Sequence, residues 1–208
     1  MISTRTLAVV ALAAGAALAT ACATPTAPAP AHTVDQQYFV PADQNAAADA
    51  AACEPGNAPY AYELAQTFTA GRTGTLDQVS LVPNRISGST PAPLALSIQT
   101  VTVDGKPSGT VVGSGTYDGP ANVVGLFDMP LSSPAAVVQG TQYALVVAES
   151  ACTTPPPDHG WTFPGSYGAT DHYAGGQAWI RAVGSPSDWR SGVAAGSSLD
   201  FFFATWVA

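Results

Sequence analysis

From Val34 onward, short runs of β-branched and aromatic residues alternate with clusters of Gly, Pro, Asn and Asp, at intervals that leave no room for long helices. This pattern predicts strands over Leu64–Thr69, Leu76–Val82, Leu94–Val103, Gly109–Tyr117, Val123–Met129, Gln142–Glu149, Ala178–Ala182 and Leu199–Val207. In Leu94–Val103, Leu96 and Ile98 share a face with Thr100 and Thr102, whereas Val101 and Val103 belong to the opposite face. The apolar side therefore switches, as at a bulge or a passage from core to rim. Asp104-Gly105 carries hairpin-turn chemistry, with glycine supplying a positive φ. The closing FFFATWV is apolar at nearly every position and predicts a central strand covered on both faces. Ala42–Cys53 is rich in helix-favouring alanine but lacks an apolar stripe, so a short surface turn or disorder is the competing reading. The expected fold is all-β: one two-sheet antiparallel β-sandwich of jelly-roll type.

One segment raises a sharper question. In ATDHYAGGQAWIR, Gly175-Gly176 reads as a two-residue hairpin turn. Ala174 would face Gln177, Tyr173 would lie opposite Ala178, and His172 opposite Trp179, with Tyr173 part of the framework.

The N-terminus has the layout of an export signal: Arg5, an apolar run LAVVALAAGAALA, then small residues before Cys22. The run is shorter than the roughly 20 apolar residues of a spanning helix. LATAC, ending at Cys22, resembles a bacterial lipobox, which predicts a signal over 1–21, lipidation of Cys22 and contact with the membrane through the lipid alone. Cleavage at an Ala-x-Ala site is the alternative and gives a secreted protein. Residues 22–33, alternating Pro with small residues, read as an extended tether to a domain over 34–208. The expected location is the cell surface.

The chain has 208 residues, 47% hydrophobic and 10% charged, with a formal net charge of -8. Lys106 is its single lysine, and this scarcity of bases argues against a nucleic-acid partner. With Cys22 in the processing site, Cys53 and Cys152 remain as a pair in a compartment where disulfides persist. Bridged, they would contribute about 4 to 5 kcal/mol on the chain-entropy estimate; two separate buried thiols are the alternative. The chain contains no CxxC or HExxH motif, so zinc has no support.

VDQQ, AQTFTAGRTGTLDQVSL, GKPSGTVVGSGTY, GTQYALVV, YAGGQAW and DFFFATWV, in that order, resemble a group of bacterial surface jelly-roll domains similar to carbohydrate-binding modules. The resemblance spans nearly all of 34–208 and implies a two-sheet fold, a polysaccharide or cell-wall glycan as partner, and a structural calcium ion held by Glu63 and Asp200. The Pro-rich TTPPPDHGWTFPG departs from the Gly/Ser-rich loop usual at that place.

Candidate chemistry lies after Cys152. Trp161, Trp179 and Trp189 are candidate stacking faces for a sugar, with Asp171, His172 and Arg190 to hydrogen-bond its hydroxyls. Trp161 and Trp189 could instead plug a sandwich end. A structural or protein-interaction envelope module with its aromatics buried is the second reading. A glycan hydrolase would draw on His159, His172, Asp158, Asp171, Asp188 or Asp200, but no GxSxG elbow accompanies them and the glutamates are scattered. The expectation is a non-catalytic protein.

Overall fold

The computed structural model describes residues 31–40, 50–51, 62–85, 92–120, 124–149, 161–182, 189–191 and 197–208. The signal segment, Cys22, most of the tether, Cys53, Cys152, Asp158, His159 and Asp188 lie outside them. Ala31–Ala208 forms one compact unit. No helix occurs among the described residues. Of the helix candidate Ala42–Cys53, the described residues Ala50–Ala51 form a short strand instead.

The strands are β1 (Thr33–Tyr38), β2 (Ala50–Ala51), β3 (Tyr62–Thr69), β4 (Gly74–Leu81), β5 (Asn84–Arg85), β6 (Leu94–Val101), β7 (Pro107–Tyr117) and β8 (Phe127–Val137). They continue as β9 (Gln142–Glu149), β10 (Trp161–Phe163), β11 (Gly165–Gly168), β12 (Ala178–Ala182), β13 (Arg190–Ser191), β14 (Ser198–Phe201) and β15 (Phe203–Val207). The main sheet runs β1-β15-β4-β8-β7-β6-β9-β3-β12-β13. Every pairing in it is antiparallel.

Its two parts are joined at a single residue pair, Ser114 in β7 opposite Ser133 in β8. The sheet curls there, and β4, β8 and β15 share one hydrophobic core with β3, β6 and β9. Phe68 of β3 and Phe203 of β15 meet across that core with ring centroids 6.2 Å apart. Two sheet faces burying a common apolar layer is the arrangement of a β-sandwich. The remaining strands among the described residues form two small sheets, β2-β10-β5 and β11-β14.

The predicted face switch in β6 is a double irregularity: its register against β7 shifts between Ile98 and Gln99 and again between Gln99 and Val101. The turn that follows has Gly105 at φ +74, its N–H donating to the Thr102 carbonyl at 2.9 Å. β8 runs well past the predicted end at Met129, through Pro130 and Pro134, both of them exposed. Proline is tolerated where a ladder is broken, and β8 has a register shift against β4 and just one residue pair with β7. The C-terminal run is divided at Phe202, whose N–H donates to the Pro164 carbonyl at 3.0 Å, so β14 pairs with β11 while β15 lies between β1 and β4. Both faces are covered as expected: Phe203 enters the core and Phe202 packs against Tyr38 and Phe39.

Candidate functional site

The Gly-Gly segment forms a turn, closed by Gly176 N–H donating to the Tyr173 carbonyl at 3.2 Å, but not the expected hairpin. Its outgoing arm pairs with β3, placing Ala178 opposite Gln66 and Trp179 opposite Ala65 rather than opposite Tyr173 and His172. The physical reason lies in two anchors. Tyr173 is drawn to the core, edge-on to Phe203 at 5.1 Å, and its hydroxyl donates to Gln36 Oε1 at 2.9 Å. Gln177 meanwhile exchanges bonds with Thr67: its N–H donates to Thr67 Oγ1 at 2.9 Å and its carbonyl accepts from Thr67 N–H at 3.0 Å. The approach is so close that a Cβ on Gly176 would lie 1.9 Å from the Thr67 carbonyl oxygen, so no other residue fits without backbone movement.

The three candidate tryptophans do not form a stacking surface. Trp161 is 2% exposed, Trp179 7% and Trp189 5%. Trp161 sits in the main core, its indole N–H donating to the Ala92 carbonyl at 2.8 Å. Trp179 and Trp189 belong to a second apolar cluster with Ala65, Ala144 and Val146, on the opposite side of β3 and β9 from the main core. Residues of alternate phase along β3 thus enter two different apolar layers.

Nor does the structure assemble the expected calcium pair. Glu63 and Gln66 are of opposite phase along β3, and it is Gln66 that meets Asp200, with its Nε2 donating to Asp200 Oδ1 at 3.1 Å. Gln66 Oε1 also accepts the Phe201 N–H at 2.8 Å. Glu63 is engaged by Arg181, whose Nε donates to its carboxylate at 2.8 Å while the guanidinium lies 4.6 Å over the Trp189 ring.

Asp200 is completely buried. Its Oδ2 accepts from Tyr173 N–H at 3.2 Å and from the Ser198 hydroxyl at 3.3 Å. Burial pushes its carboxyl above the ordinary range, the neighbouring Asp171 charge adds to that rise, and the hydrogen bonds from Gln66, Tyr173 and Ser198 oppose it. Asp171 is exposed, and its Oδ1 accepts the same Tyr173 N–H at 3.2 Å. His172, also exposed, stacks on Tyr38 at 6.3 Å, and Arg190 is exposed on β13.

Of the predicted polar residues, Asp171 lines a polar cleft of about 170 Å³, formed with Gln177, Ser191, Ser197 and Ser198 over a floor of Gly176, Ala178 and Leu199. The lining thus comes from the segment around the Gly-Gly turn, from β13 and from the entry to β14. Tyr167, 55% exposed, is hydrogen-bonded at its hydroxyl to Ser197 Oγ at 3.3 Å. Sequence reasoning missed the serines, Gln177 and Gln66, whereas Tyr167 lies in the aromatic-rich stretch already singled out for exposed rings. For Gln66 there was a signal, a polar residue in phase with the core-facing Leu64 and Phe68. The serines have no periodicity to expose them, because they sit at the ends of two short segments, Ser191 on β13 and Ser197–Ser198 at the entry to β14, and meet Asp171 and Gln177 only in the fold. No protein-family model and no curated protein matches this chain.

Proposed function

We propose that the chain is a non-catalytic, exported β-sandwich module that binds carbohydrate in the cleft bounded by Asp171, Gln177, Ser191, Ser197 and Ser198, displayed at the cell surface on the Cys22 anchor and Pro-rich tether. The observation that carries this reading is the cleft itself, about 170 Å³ and lined by hydroxyl, carboxamide and carboxylate groups. Hydroxyls both donate and accept, and the amide and carboxylate extend the range, so the set matches the mixed hydrogen-bonding demand of a sugar ring. The volume lies below the roughly 300 Å³ at which drug-sized pockets begin, which suits one ring or a chain end. Tyr167 adds an exposed aromatic face next to Ser197, a surface on which a sugar can stack.

The non-catalytic part of the reading is supported by the scaffold contacts of the groups a hydrolase would use. Asp171 caps the Tyr173 amide, Asp200 is held by Gln66, Tyr173 and Ser198, and His172 lies on Tyr38. The second reading, a structural or protein-interaction envelope module without a small ligand, is favoured by the burial of Trp161, Trp179 and Trp189, which commits these rings to cohesion.

A panel of polysaccharides and oligosaccharides tested against the full chain separates the two. Retention on a sugar class, lost when Ser197→Trp fills the cleft and kept in Trp179→Phe, is the expected outcome. A blank panel with a folded protein puts the structural module first.

A further inference from the structure

The charges around the cleft narrow the ligand. Asp171 Oδ1 and Asp200 Oδ2 converge on one donor, the Tyr173 N–H, each at 3.2 Å. Two carboxyl groups thus share a single amide at the edge of the cleft. No lysine or arginine is among the described residues that line the cleft. Arg181 is committed to Glu63 and Trp189, while Arg190, opposite Ile180 in the β12–β13 register, is exposed and outside the lining. The chain as a whole carries a net charge of -8.

We propose that the cleft selects an amino sugar with a free amine, its ammonium group seated at the Asp171 carboxylate and its hydroxyls paired with Ser191, Ser197, Ser198 and Gln177. This rests on the reading of the cleft as a carbohydrate site. An ammonium offers donors and no acceptor, whereas an ionised carboxylate offers acceptors and no donor, so the pair is complementary in hydrogen bonding as well as charge. Uronic acids and phosphorylated or sialylated glycans carry the wrong sign and meet repulsion at the same place.

The test is titration calorimetry of the full chain with short chitosan oligomers, chitin oligomers of equal length and an oligoglucuronate, at a pH where the chitosan amine is protonated. The expected result is chitosan bound about tenfold tighter than chitin, the size of one charge-assisted contact, with no measurable binding of the glucuronate. Asp171→Asn keeps the Oδ1 that caps Tyr173 and is expected to remove most of that ratio. Should that variant not fold, the wild type carries the same test: added salt weakens chitosan binding and leaves chitin binding nearly unchanged. Equal affinity for chitosan and chitin, or a preference for the glucuronate, overturns the amino-sugar inference and leaves the carbohydrate reading standing. Failure of every saccharide to bind removes both.

Discussion

Trp161 and the pair Trp179 and Trp189 are nearly equally hidden, at 2%, 7% and 5% exposure, yet they are buried in different ways. Trp161 lies between the two parts of the sheet, edge-on to Tyr117 at 5.7 Å and with its N–H bonded to the Ala92 carbonyl. Trp179 and Trp189 lie on the reverse of the sheet over a floor of small side chains, and neither indole N–H has a hydrogen-bond partner among the described residues. Their rings instead meet cations, Lys106 at 6.0 Å from Trp179 and Arg181 at 4.6 Å from Trp189. The difference teaches that fractional burial does not define a role: one ring fills and ties a core, while two rings shield a sheet face and leave polar atoms unsatisfied.

The comparison is broken most directly by truncating the ring that ties the core. Trp161→Ala empties the space beside Tyr117 and leaves the Ala92 carbonyl without its donor; a loss of about 3–5 kcal/mol is expected in denaturant unfolding. A loss below about 1 kcal/mol would show that Trp161 is not part of the core. A finer contrast comes from replacing each ring by phenylalanine. Trp161→Phe keeps an aromatic body but takes the donor from the part-buried Ala92 carbonyl, at about 1–3 kcal/mol. Trp179→Phe removes an unpartnered donor along with some area, and the two effects offset, so a change within about 1 kcal/mol is expected. Equal costs for the two would collapse the distinction. Smaller again is Arg181→Met, which gives up the cation–π contact and the Glu63 ion pair while retaining much of the apolar stem; about 0.5–1 kcal/mol is expected, diminishing in high salt.

These environments explain what was legible beforehand. Strand phase is a local property, so Gln142–Glu149 and Ala178–Ala182 match the observed β9 and β12 to the residue, and the face switch in β6 was readable as a bulge. The fate of Trp161 and Trp189 was not, because what covers a side chain beside Pro and Gly depends on segments distant in sequence. Trp161, for example, donates to a residue 69 positions away. The Gly-Gly segment misled for the same reason: two-residue turn chemistry is compatible with a hairpin, but the closer partner was Thr67, 110 positions from Gln177. In the candidate site, Asp171 was visible as a loop carboxylate, while the pairing of Glu63 with Asp200 failed on strand phase, a criterion the sequence itself contained.

Asp200 is the polar counterpart of the two indoles, as deeply buried but surrounded by partners, and it provides the smallest of the expected effects. Burial, the dominant influence, raises its carboxyl above the ordinary 3.8, and the Asp171 charge reinforces the shift against the donors Gln66, Tyr173 and Ser198. The folded chain therefore binds more protons than the unfolded chain in the window that starts near 3.8 and ends just above the raised value. Stability contributed by this group is greatest below that window, falls as pH rises through it, and is level above it, the reverse of a salt-bridged carboxylate. Asp35, also raised mainly by burial, gives a slope of the same sign. Denaturant unfolding across mildly acidic pH should show wild type losing stability as pH rises, with Asp200→Asn lacking the Asp200 share and keeping that of Asp35. An unchanged slope in the variant would mean that the three polar contacts around Asp200 satisfy its charged form completely, making it a settled ion rather than a buried acid.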